Sequence, residues 1–168
     1  NFSPSDDQSL FNFDLVLKEN ILTPRSTYRF TLTTVYDTIY LETSSTTISV
    51  RTNGPPLPGN ALVEPTEGYE IQTEYTFEAS SWEDDEGNLP LTYAFGHTEP
   101  GNIKVLDQPR SETSFATLLF ASGDEANDYI RPVFIRIFDS LDSVHEEGLD
   151  IKVFPFGYDP SPSHGTEH

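Results

Sequence analysis

The 168-residue chain contains no cysteine and no methionine. Without thiols it has no disulfide, no thiolate metal site and no cysteine nucleophile. The usual marker of compartment is lost too, because disulfides cannot be read for or against secretion. Basic residues are scarce: 9 Lys and Arg stand against 28 Asp and Glu, a formal net charge of −19. They are scattered from Lys18 to Lys152 without a run. A nucleic-acid binder needs a basic cluster to neutralise phosphates, and an anionic lipid surface repels a chain like this one. No nucleic acid and no direct membrane contact are therefore expected. The charge favours solubility and attraction of cations. No apolar run approaches the roughly 20 residues of a membrane span. Apolar residues make up only 35%, but aromatics reach 12%, and each can bury a large area.

What the chain does have is alternation, the mark of half-buried strands. FNFDLVL puts Phe11, Phe13, Leu15 and Leu17 on one face. STYRFTLTTVY puts Tyr28, Phe30 and Leu32 on one side and Arg29, Thr31 and Thr33 on the other. TTISVRT aligns Ile48 with Val50. β-Branched content supports strand over helix. Leu22-Thr23-Pro24 then a strand-opening Tyr28 is the arrangement of a tyrosine corner, in which the phenol reaches back to upstream backbone. That spacing resembles the entry to the sixth strand of fibronectin type III domains. On this reading residues 1–52 are the C-terminal half of such a sandwich, since a whole one needs about 100 residues. The missing strands lie elsewhere in a longer parent or in another chain. The chain, which starts at Asn1 without a Met, is expected to be a piece of that parent. Asn1-Phe2-Ser3 is a glycosylation sequon, giving Asn1 as an acceptor.

Residues 53–59 include Gly54-Pro55-Pro56-Leu57-Pro58-Gly59, read as a stiff extended linker. Beyond it, seven strands are expected around 61–63, 71–80, 89–97, 102–106, 114–121, 130–138 and 149–154. Ile71, Thr73, Tyr75, Phe77 and Ala79 should face inward in the second. Leu89, Leu91, Tyr93 and Phe95 should share a face in the third. Tyr129, Val133, Ile135 and Ile137 should face the core in the sixth, with Arg136 exposed. Turn residues such as Asp85-Glu86-Gly87-Asn88 separate these runs. The fold class is all-β: tandem immunoglobulin/fibronectin III-like β-sandwiches, the first incomplete, the second complete over 60–156. Residues 157–168 read as a flexible tail or linker holding His164 and His168. Trp82 falls on the outward parity of its strand, and a bulge at Ser80-Ser81 would return it to the core.

Catalytic signals are absent: there is no nucleophile elbow, no phosphate loop, and His145-Glu146-Glu147 lacks the second His of a zinc protease helix. No enzyme is expected. The best chemical candidate is Glu83-Asp84-Asp85-Glu86 with Asn88, whose carboxylates could ligate calcium. The alternative is a solvated hairpin turn, which these residues build well. Tyr36, Tyr40, Phe154, Phe156 and Tyr158 could stack on sugars, which leaves a carbohydrate-binding accessory domain open. A subunit of a secreted filament, completed by neighbouring strands, is a further alternative.

One string is more specific. Pro55-Pro56-Leu57-Pro58-Gly59, Val63-Glu64-Pro65, Gly68, Thr73, Phe77, Trp82-Glu83-Asp84-Asp85-Glu86 and Pro90-Leu91-Thr92-Tyr93-Ala94-Phe95 follow one another over about forty residues. In order and spacing the string resembles the receptor-for-egg-jelly (REJ) module of polycystin-like proteins and sperm egg-jelly receptors. It is a divergent, cysteine-free form: Ala61 and Ala79 stand where family members often carry cysteines. The resemblance implies a non-enzymatic extracellular module of a large cell-surface or cilium-associated protein. It would act as spacer and as adhesion or assembly surface toward other domains of its parent or neighbouring chains. Tyr28, Trp82 and Tyr93 are its expected structural residues; no cofactor beyond calcium is expected.

Overall fold

The computed structural model describes residues 14–35, 39–40, 42–159 and 161. The chain divides into two compact units, 1–52 and 53–168, and is all-β.

In the first unit, β1 (Thr27–Val35) pairs antiparallel with β2 (Thr43–Arg51). The register sets Tyr28 opposite Val50 and Phe30 opposite Ile48, on one face. Tyr28 and Phe30 are half-buried, while Leu32, Ile48 and Val50 stay exposed. The entry turn is stitched by short bonds. The Tyr28 phenolic oxygen accepts the Thr23 backbone N–H at 2.7 Å, and Thr52 Oγ1 donates to the Thr23 carbonyl at 2.6 Å. The expected strand through Leu17 is not formed where it is described. Leu15 and Leu17 are exposed and outside any strand. Phe11 and Phe13 lie outside the described residues. Alternation makes a strand only where an edge takes it up, and among the described residues β1 and β2 pair only with each other.

Among its described residues the second unit holds eight strands: β3 (Asn60–Glu64), β4 (Glu67–Tyr69), β5 (Tyr75–Ser80), β6 (Thr92–Glu99), β7 (Ile103–Ser111), β8 (Phe115–Leu118), β9 (Ile130–Phe138) and β10 (Val144–Phe154). They form two sheets, ordered β3-β5-β8 and β4-β10-β9-β6-β7. The core between them takes Tyr75, Phe77 and Ala79 from one sheet. Phe95, Val133, Ile135, Ile137, Ile151 and Val153 come from the other. This is an immunoglobulin-like sandwich in which the first strand is split. β3 pairs antiparallel with β5, the chain crosses at Pro65, and β4 pairs parallel with β10. β4 was not foreseen, because three residues centred on Gly68 show no period.

Three inward expectations fail for local reasons. Ile71 is 73% exposed, because its φ of 61° belongs to a turn in which Gln72 and Thr73 N–H both reach the Tyr69 carbonyl. Thr73 is half-buried and outside a strand, which begins at Tyr75. Leu89 is exposed because a 3₁₀ turn, Glu86–Asn88, precedes it and β6 begins only at Thr92. Arg136 is half-buried rather than exposed, its guanidinium lying 4.9 Å from the centre of the Phe134 ring.

Trp82 does reach the core, 8% exposed, because Ser81 takes a left-handed φ of 59°. Its indole Nε1 donates to the Asn60 carbonyl at 3.0 Å. The proline-rich segment packs beside it. Pro56 is fully buried, and the Leu57 N–H donates to the Glu83 carbonyl at 2.8 Å. Only glycine fits at position 59, where a Cβ would lie 2.4 Å from the Ser80 carbonyl oxygen. Residues 53–59 thus form the edge of the second unit.

Ala61 sits directly opposite Ala79. The Ala79 N–H donates to Ser114 on the β8 side. The Ala pair is therefore non-hydrogen-bonded, with Cα atoms about 4.5 Å apart, within disulfide reach. An Ala61→Cys, Ala79→Cys double variant should oxidise spontaneously. It should gain roughly 3 kcal/mol by the loop-entropy model, seen as a melting shift that reductant abolishes. Buried Tyr75 donates its phenol to the Lys152 carbonyl at 2.8 Å, and burial pushes its pKa up to about 12. The raised folded value means that this stability is complete below the ordinary Tyr range and lost as pH rises toward 12. Tyr75→Phe should therefore flatten the alkaline limb of a pH-dependent melting curve.

Candidate functional site

The acidic turn is built around hydrogen bonds. Asp84 Oδ1 accepts the Asp85 N–H at 2.7 Å and the Asn88 amide at 3.3 Å. Asn88 also donates to Asn53 Oδ1 at 2.7 Å, and Asn53 donates its own amide to Asp139. Asp139 is the one fully buried charged side chain among the described residues. Its other oxygen accepts the N–H groups of Leu141 at 2.9 Å and Ser143 at 2.8 Å. The chain thereby ties the start of the second unit, the acidic turn and the β9–β10 turn into one network. Glu83 and Glu86 remain exposed, and the four carboxylates Glu83, Asp84, Asp85 and Glu86 do not converge. Among the described residues no three His, Asp or Glu side chains gather as a cation site.

The basic residues are placed as counter-charges. Lys104 and Arg136 both bind Glu146, at 2.9 and 2.7 Å, and flank the Phe134 ring. Burial would raise the Glu146 pKa, but hydrogen bonds from Lys104 and Arg136 bring it below the ordinary range. Arg110 lies 4.5 Å from the Phe138 ring centre and pairs with Asp142. Lys152 pairs with Asp128. Arg131 pairs with Glu99 at 3.3 Å and donates to the Ser122 carbonyl at 3.2 Å. All five belong to β7, β9 and β10; β3, β5 and β8 carry no base. On the outer row of that sheet, exposed Leu62 and Phe115 flank Glu78.

Reading the sequence missed a second cluster. His97 stands between Asp107 and Glu99, with Nδ1 2.6 Å and Nε2 2.8 Å from their carboxylate oxygens. One signal was available: His97 and Glu99 are two apart on one strand, so they share a face. Beside them is an open cleft of about 530 Å³, lined by Thr98, Glu99, Asn102, Gly123, Asn127 and Arg131.

The aromatic residues proposed for sugar stacking take different positions. Phe154 is buried, and Tyr158 stacks on it, 5.1 Å between centres at 9°. Tyr129 closes the cluster against Tyr158 at 4.9 Å. Phe156 and Tyr40 are exposed; Tyr36 lies outside the described residues. Tyr93 is half-buried against the core, where burial raises its pKa. Asn1, His164 and His168 also lie outside the described residues.

A split-first-strand sandwich carrying this proline-to-tryptophan edge matches the family model for the REJ domain over residues 1–167. The chain belongs to the REJ domain family. REJ domains are non-catalytic modules of polycystin-like surface proteins. The match takes in the β1–β2 unit as well as the sandwich, well beyond the forty-residue string. No curated protein matches in a direct sequence comparison. No helix among the described residues is long and apolar enough to cross a membrane.

In this REJ chain Asp139 accepts three hydrogen bonds with no exposure to water. Asp139→Ala should leave those donors unpaired and cost about 3 kcal/mol. The check is a lowered denaturant midpoint at unchanged slope.

Proposed function

We propose that this REJ chain is a structural module of a larger cell-surface protein, serving as a spacer whose outer faces support adhesion or assembly. The observation that carries the spacer reading is the parallel pairing of β4 with β10. These strands lie near the two ends of the second unit. Because they run parallel, tension applied through the chain pulls them past each other along their length. The ladder bonds are then loaded together, where an antiparallel terminal pair would open one bond at a time. Thr66 and Phe154 carbonyls, accepting from Lys152 and Glu70 at 2.8 Å each, extend this pair at both ends.

The surface reading rests on the β3-β5-β8 face. It has no basic residue, and its Leu62–Glu78–Phe115 row exposes two large apolar side chains beside a carboxylate. Such a face suits other domains of the parent or neighbouring chains with complementary charge.

Single-molecule pulling tests the spacer. Force applied between Asn53 and Gly157 should meet a higher unfolding peak than force applied between Asn53 and Gly101, which does not oppose β4 to β10. Equal peaks, or a lower one for the terminal geometry, would sink the reading.

A further inference from the structure

The chemistry around His97 goes beyond what a spacer requires. The side chain is 12% exposed and sits on β6. Its charged neighbours come from three strands: Glu99 on β6, Asp107 on β7 and, behind Glu99, Arg131 on β9. Phe120, between β8 and β9, meets the ring edge-on at 5.8 Å and carries no charge. Arg131 is itself only 13% exposed.

A neutral imidazole has one N–H and one lone pair. Both partners of His97 are carboxylates, which accept only. The Glu99 carboxyl is held below its ordinary range by the His97 hydrogen bond first and by Arg131 second, so it is ionised at neutral pH. Two acceptors at 2.6 and 2.8 Å require two donors. The ring that satisfies this geometry is the imidazolium. With one ring proton gone, a nitrogen lone pair faces a carboxylate, and attraction becomes repulsion.

We propose that His97 is a charge-dependent latch: its imidazolium ties Asp107 of β7 to Glu99 of β6, and loss of a ring proton releases that tie and reshapes the adjoining cleft. The direction follows from the chemistry. The latch is closed on the acid side and opens as pH rises. Glu99 couples it to the cleft, because Glu99 and Arg131 form one wall. Arg131 in turn holds the Ser122 carbonyl, so the β6–β7 turn and the β8–β9 connection respond together. The cleft thereby gains a pH-dependent shape.

NMR of the full chain tests this. Imidazole nitrogen spectra count ring protons, and backbone amides report the loops. At about pH 5.5 both nitrogens of His97 should carry protons, and at an alkaline pH one should not. Across that change the amides of Thr98–Asn102 and Gly123–Asn127 should shift and exchange faster with solvent. His97→Gln should hold the open pattern at both pH values. Asp107→Asn, which removes one charged acceptor, should abolish most of the response and serves if His97→Gln fails to fold. A ring carrying a single proton at pH 5.5 overturns the proposal. So do loop amides that stay still, or that move equally in the folded variant.

Discussion

The chain carries nineteen excess negative charges, and like charges at that density oppose compaction. The second unit answers by spending every base it has. Lys104, Arg110, Arg131, Arg136 and Lys152 each hold a carboxylate. Exposed pairs of this kind contribute little singly. Here three of the cations also cover aromatic rings: Lys104 and Arg136 over Phe134, Arg110 over Phe138. Phe134 points away from the core face of β9 yet is fully buried, because Gly96 leaves room beneath it and the two cations roof it. The scarce basic residues thus act as packing material as well as counter-ions. The cost falls on the opposite sheet, which is left purely acidic.

The sandwich was largely legible because its core strands alternate. Tyr75, Phe77 and Ala79, or Ile135 and Ile137, declare their face by period alone, and their β-branched or aromatic character confirms the element. Expectations failed where backbone geometry departs from a strand without a change in composition. Ile71 and Leu89 continue the alternation on paper, but a left-handed residue and a 3₁₀ turn end it in space. Ser81 works the other way: one left-handed residue repairs the phase and delivers Trp82 to the core.

The polar sites were less legible, since they join residues distant in sequence. Asn53 and Asp139 are 86 apart, and nothing local to either marks the bond. The acidic turn attracted attention through its charge density. Its structural weight lies in Asp84 and Asn88, the two members that bond inward. His97 escaped notice because its second carboxylate, Asp107, comes from the next strand.

The Ala61–Ala79 pair has a consequence for biosynthesis. At this pair the chain holds two β-strands together with methyl groups and a ladder alone. Its native state needs no oxidant and no selection among alternative disulfide pairings. The same sandwich can therefore mature equally well in a reducing or an oxidising compartment.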